Sequence, residues 1–145
     1  MPKLLEARMR RSSAESKTLI SVVDDDESMR EAIRGLMKSL GFTAEAFSSA
    51  EEFLKSRKVP RTSCLIADVQ TPGMTGPELH RHLLAAGNPI PTILITAYPD
   101  DRGRERALQA GVVCYLSKPF DENDLLACIR SSLNGRPNGT KTSPG

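Results

Sequence analysis

The feature that most narrows what this chain can fold into is an alternation. Short apolar runs and amphipathic stretches follow one another five times between residues 19 and 133. The first run is Leu19–Val23. Met29, Ile33, Leu36, Met37 and Leu40 then recur at helical spacing, and Gly41 supplies a stop. Phe42–Phe47 reads as a strand with Phe42, Ala44 and Ala46 on one face. A helix capped by Ser49 is expected through Lys58, with Phe53 and Leu54 as its apolar stripe. Cys64–Ala67 is a short, wholly apolar strand. A Gly/Pro-rich loop, Thr71–Gly76, leads into a helix over Pro77–Ala86 with proline in its first turn. Thr92–Ile95 is a further buried strand, followed by a polar helix over 101–110 that Gly111 ends. Val112–Leu116 and a helix over Asp121–Leu133 complete the series, with Leu125, Leu126, Ile129 and Leu133 facing inward.

Strands that alternate with helices imply right-handed crossovers and a parallel sheet covered on both faces. The strands are continuous apolar runs, as burial on both sides requires. The expected fold is therefore α/β, a five-stranded doubly wound parallel sheet of order 2-1-3-4-5. Its ligand site should lie beyond the carboxyl ends of the strands, where the strand order reverses.

Length and charge fit one such body. The 145 residues amount to one domain, large enough to fold without a disulfide or metal staple. The expected layout is a basic, flexible N-terminal arm over 1–17, a globular domain over 18–134 and a disordered tail over 135–145. The formal charge of +2 belongs to the ends: residues 19–133 are net −3, residues 1–18 net +3 and residues 134–145 net +2. With no Trp, four Phe and two Tyr, no aromatic surface for single-stranded nucleic acid is expected. Direct nucleic-acid binding is not expected either. No apolar run approaches the roughly 18–20 residues of a membrane span. Cys64, Cys114 and Cys128 are odd in number and lack C-x-x-C spacing. They are expected to be buried, reduced thiols of a cytoplasmic protein.

The carboxyl ends can be read off the pattern. Asp24-Asp25-Asp26 follows the first strand, Asp68 the third, Thr96 closes the fourth and Lys118 follows the fifth. Only Ser48 and Ser49 follow the second. Each residue has an ordinary reading as a cap, turn or β-former. Their joint placement at one end of one sheet is what points to chemistry. Crowded carboxylates repel, and Mg²⁺, which takes oxygen ligands and is commonly shared with phosphoryl groups, relieves this. One carboxylate is then free to act as a nucleophile, while the ammonium and hydroxyl neutralise phosphoryl oxygens.

Val22-Val23-Asp24-Asp25, Asp68-Val69-Gln70-Thr71-Pro72-Gly73-Met74-Thr75-Gly76, Ile95-Thr96-Ala97 and Lys118-Pro119-Phe120 occur in this order and at these spacings. With them, residues 18–133 resemble the receiver domain of two-component response regulators, a flavodoxin-like (β/α)5 fold. Asp-Asp-Asp-Glu-Ser-Met-Arg and Tyr-Leu-Ser-Lys-Pro-Phe resemble most the receivers that precede LuxR-type DNA-binding domains, including nitrogen-fixation regulators. The resemblance implies Asp68 as phospho-acceptor, served by a sensor histidine kinase or a histidine phosphotransfer protein. It implies Mg²⁺ held by Asp24, Asp25, Asp68 and the Gln70 backbone carbonyl, with Asp26 left to cap a helix. It implies that Thr96 and Lys118 bond the phosphoryl group, that Tyr115 turns inward behind Thr96, and that Lys118–Pro119 is cis. It further implies that Gln70 and Tyr98 tune acyl-phosphate lifetime, Tyr98 by partly shielding it, and that output passes to a downstream protein through the strand 4–helix 4–strand 5 face.

The chain also departs from that pattern. Thr71 stands where Met is common, and Arg102-Gly103-Arg104-Glu105-Arg106 replaces a more apolar helix 4. Glycine weakens a helix by about 1 kcal/mol relative to alanine. The resemblance implies that this helix is often the dimer face, so with these departures a monomer or weak dimer is expected. The arginines suit either an acidic partner or plain solvation. His80 and His82 are expected at the surface, and Ser117 is read as structural. The leading expectation is a stand-alone, self-modifying switch rather than a turnover enzyme. A regulatory domain cut from a LuxR-type transcription factor is one alternative. A metal-dependent phosphohydrolase is another, although a Gly-x-x-x-x-Gly-Lys loop is absent.

Overall fold

The computed structural model describes residues 18–134. The arm expected over 1–17 and the tail expected over 135–145 lie outside them. The elements run β1 (Leu19–Val23), α1 (Glu27–Ser39), β2 (Thr43–Phe47), α2 (Ala50–Lys55), β3 (Thr62–Asp68), α3 (Gly76–Ala85), β4 (Thr92–Thr96), α4 (Asp101–Gln109), β5 (Cys114–Ser117) and α5 (Glu122–Leu133). The five strands are all parallel, in the order β2-β1-β3-β4-β5.

Each helix starts on a side chain able to accept from a free backbone N–H. Asp26, Ser49, Thr75, Asp100 and Asp121 fill these positions, and Thr75 with Glu78 completes a capping box. The sheet carries one apolar cluster on each face. Ile20, Val22, Ile66, Ile93 and Ile95 pack with Ile33 and Met37 of α1 and Leu125 and Ile129 of α5. Val23, Leu65, Ala67 and Leu94 pack with Phe53 of α2, Leu79 and Leu83 of α3 and Ala107 of α4. Burying side chains of this size is worth roughly 1.5–3 kcal/mol each, so the sheet frame is over-determined and its ends can carry polar groups.

Three local expectations need correction. The helix expected through Lys58 stops at Lys55. Ser56 is extended (φ −80°, ψ 163°), its hydroxyl donates to the Phe53 carbonyl and its Oγ accepts from the Lys58 N–H. A single 3₁₀ turn, Val59–Arg61, follows. Cys114 and Cys128 are disulfide-bonded rather than reduced, and only Cys64 is a free thiol. β5 and α5 lie side by side with these two Cα atoms 6.1 Å apart, within bridging range. Cys64 is buried as expected, and burial pushes its thiol pKa up to about 12. Third, His80 is buried at 4% exposure, whereas His82 is exposed. Gly76, Leu79, His80 and Leu83 form the buried stripe of α3, and His80 is one position of it. Among the described residues, no helix is long and apolar enough to cross a membrane.

Candidate functional site

The register of the sheet assembles the site. Val23 pairs with Ala67, which puts Asp24 level with Asp68 across adjacent strands. Asp68 pairs with Ile95, so Thr96 stands one step beyond it, and Thr96 pairs with Ser117, so Lys118 follows next. The Val69 N–H donates to the Ile95 carbonyl and the Lys118 N–H to the Thr96 carbonyl, extending both ladders into the loops. The Lys118–Pro119 bond is cis.

Asp24 is fully buried and Asp68 is 6% exposed. Lys118 Nζ donates to Asp24 Oδ2 at 2.9 Å and to Asp68 Oδ2 at 3.0 Å. The other Asp24 oxygen accepts from the Asp26 N–H at 2.9 Å. Asp26 itself caps α1, as its position in the sequence indicated. Burial raises the Asp24 pKa, against the lowering pull of the Asp26 N–H and of Lys118. For Lys118, burial works to lower the pKa, but its hydrogen bonds to two carboxylates and their charge outweigh it, so the net shift is upward. The ammonium therefore stays charged where the site needs a cation.

Asp24, Asp25 and Asp68 each offer a carboxylate oxygen, and these lie within 4.8 Å of one another. Asp25 is exposed and, among the described residues, no side chain engages it. Hard oxygen donors with one open carboxylate fit a magnesium ion that keeps part of its water shell.

Around this pocket, the Gln70 N–H donates to Asp68 Oδ1 at 3.0 Å, and the buried Thr71 hydroxyl donates to the Asp68 carbonyl at 2.9 Å. The Thr96 hydroxyl donates to Gln70 Oε1 at 2.8 Å and accepts from the Tyr98 N–H at 2.9 Å. Tyr98 is 74% exposed. It shares the wall of a cavity of about 260 Å³ with Gln70, His80, Arg106 and Tyr115. Tyr115 is half-buried beside α4. Two contributors were missed in the sequence. Glu51, on the first turn of α2, accepts from the Met74 N–H at 3.0 Å and so holds the loop after β3. Gly103 lies against the Tyr115 hydroxyl. Glu51 is an acid in a capped first turn, a position that mimics ordinary helix chemistry, so nothing marked it out. Gly103 was visible only as a helix weakener.

A parallel 2-1-3-4-5 sheet with three carboxylates, a lysine and a threonine at its carboxyl ends is the flavodoxin-like class of α/β protein with an acidic, cation-ready site. The family model for the response regulator receiver domain matches residues 20–130. The chain belongs to that family. The response regulator protein TodT of Pseudomonas putida is 36% identical over 134 residues, 92% of this chain and 59% of TodT. The structure of the response regulator StyR matches with a TM-score of 0.75 and 39% identity, over 88% of this chain and 64% of StyR. FixJ-N matches with a TM-score of 0.72 and 30% identity, over 81% of this chain and 94% of FixJ-N. The chain spans about three-fifths of the length of TodT. Receiver domains are phospho-acceptor switches that bind Mg²⁺ at an acidic pocket and interact with histidine kinases and downstream effectors. Here the pocket is the cluster of Asp24, Asp25 and Asp68.

Proposed function

We propose that this domain accepts a phosphoryl group on Asp68 from the phosphohistidine of a sensor kinase or a histidine phosphotransfer protein. The observation that carries this reading is the Lys118 ammonium held between Asp24 and Asp68. Asp68 is a buried carboxylate one step short of Thr96 on the neighbouring strand, while Asp25 faces solvent and is suited to a metal. An Asp68 carboxylate oxygen forms the new bond to phosphorus as the phosphorus–nitrogen bond breaks, and the imidazole leaves with the electron pair. Asp24, Asp25, Asp68 and the Gln70 carbonyl would hold Mg²⁺, which would supply positive charge to offset that of the phosphoryl group. Lys118 neutralises a phosphoryl oxygen, and Thr96 donates its hydroxyl to another.

Phosphorylation adds charge and three acceptor oxygens. Thr96 moves toward them, Tyr115 turns inward after it, and the β4–α4–β5 face changes the partner it suits. The output is contact with a downstream protein in the cytoplasm, made by a stand-alone monomer or weak dimer that neither turns over a foreign substrate nor binds nucleic acid. A second reading is the regulatory part of a longer transcriptional regulator, the role named for FixJ of Bradyrhizobium diazoefficiens, a relative 34% identical over 118 residues. Tyr98, at the rim beside Gln70, partly shields the acyl phosphate, and Tyr98→Ala should shorten its lifetime.

The test is intact mass after incubation with Mg²⁺ and acetyl phosphate. The wild type should gain one phosphoryl group and Asp68→Asn none. An unchanged wild-type mass defeats the reading, and a phosphorylated Asp68→Asn protein moves the acceptor elsewhere.

A further inference from the structure

One residue touches both the acceptor and the switch. The backbone N–H of Gln70 donates to Asp68 Oδ1, and its side-chain Oε1 accepts from the Thr96 hydroxyl. A threonine hydroxyl has a single proton to give. Its oxygen is also engaged, accepting from the Tyr98 N–H. Thr96 is fully buried, so water has little access to replace either bond. The Gln70 side chain is exposed, so releasing it returns its amide to solvent at little cost.

We propose that the Gln70 side chain is a latch on Thr96, which withholds the hydroxyl proton that a phosphoryl group on Asp68 needs. The inference rests on Asp68 as the phospho-acceptor. Switching then exchanges one hydrogen bond for another: the Thr96 O–H leaves Gln70 Oε1 and is given to a phosphoryl oxygen. Gln70 is a positioning residue that acts through Thr96. Its effect falls on the balance between the two states, separately from any effect on acyl-phosphate lifetime.

The test uses beryllofluoride with Mg²⁺, a phosphoryl mimic that forms no hydrolysable acyl phosphate. Its affinity is measured calorimetrically in a cycle of wild type, Gln70→Met, Thr96→Val and the double variant. Methionine keeps the length of glutamine and removes the acceptor. Removing one neutral hydrogen bond should tighten beryllofluoride binding about two- to tenfold in Gln70→Met. The same substitution should change nothing in the Thr96→Val background. An unchanged affinity in Gln70→Met, or an equal gain in both backgrounds, overturns the latch. A wild type that does not bind beryllofluoride at all overturns instead the reading of Asp68 on which it rests.

Discussion

The Tyr115 hydroxyl lies against Gly103: a Cβ at position 103 would stand 3.2 Å from it and 3.0 Å from Asp100 Oδ1. The backbone of Gly103 is helical, so alanine fits the chain and only the neighbours must give way. Alanine gains about 1 kcal/mol of helix propensity. Crowding of the Asp100 cap sets about the same amount against this, so Gly103→Ala should stay within about 1 kcal/mol of the wild type while displacing the Tyr115 ring. In a Tyr98→Phe background, where Tyr115 is the one tyrosine, NMR of the ring protons should show the shift. Unmoved ring resonances would mean that Gly103 does not set the position of Tyr115.

Lys118 is the cation shared by Asp24 and Asp68, so its loss leaves carboxylates buried and unpaired. Removing one partner of a buried pair costs about 3 kcal/mol, the low end of the range because Lys118 retains 15% exposure. Asp24 titrates above its ordinary 3.8, so folding favours its protonated form, and stability drains as pH rises through the folded value. Without Lys118 that value rises further. Lys118→Met should therefore cost more at about pH 8 than at about pH 5. Urea unfolding at the two pH values, without Mg²⁺, checks this.

Burial, with the charge of Arg81 adding to it, holds the His80 imidazole below its usual 6.5. The unfolded chain then binds the proton more readily. Stability from this group is complete above 6.5 and is lost as pH falls below it. His80→Leu should flatten that acid limb of the wild-type profile. Urea midpoints across the same pH range, compared between the two proteins, give the answer.

Glu51 anchors the loop after β3 through the Met74 N–H. At an exposed site this bond should be worth about 1 kcal/mol. Glu51→Ala should lose it and speed hydrogen exchange at Met74, whereas Glu51→Gln, which keeps an acceptor oxygen, should stay close to wild type. Gly73→Ala should perturb the same contact from the other side. Its φ is +81°, and a Cβ there would meet Glu51 Oε2 at 2.9 Å.

The frame of the fold was legible because strands buried on both faces must be apolar throughout, and Leu19–Val23 and Thr92–Thr96 have no competing reading. The site was legible because topology places every strand's carboxyl end together, so Asp24, Asp68, Thr96 and Lys118 could be collected without coordinates. What escaped depends on side-chain direction. His80 follows Leu79 on the i, i+3, i+4, i+7 stripe from Gly76, a signal that was present but outweighed by the polarity of histidine. The Cys114–Cys128 bridge depends on how β5 and α5 dock, which no local spacing encodes. The Thr96–Gln70 bond depends on rotamers in a loop. The stop of α2 at Lys55 turned on the Ser56 hydroxyl, which competes for backbone partners where apolar periodicity alone would continue the helix.

The pairing of Asp68 with Ile95 and of Thr96 with Ser117 has a consequence for how this protein can vary. The chemistry occupies one transverse section of the sheet, a single residue or two thick on each strand. Below that section the strands work as spacers: their identity is free within apolar limits, but their count is not. Deleting one residue from β4 would carry Thr96 to the opposite face of the sheet, although no reactive group had been altered. The protein should therefore tolerate many exchanges of Ile, Leu and Val in its core and almost no change of strand length.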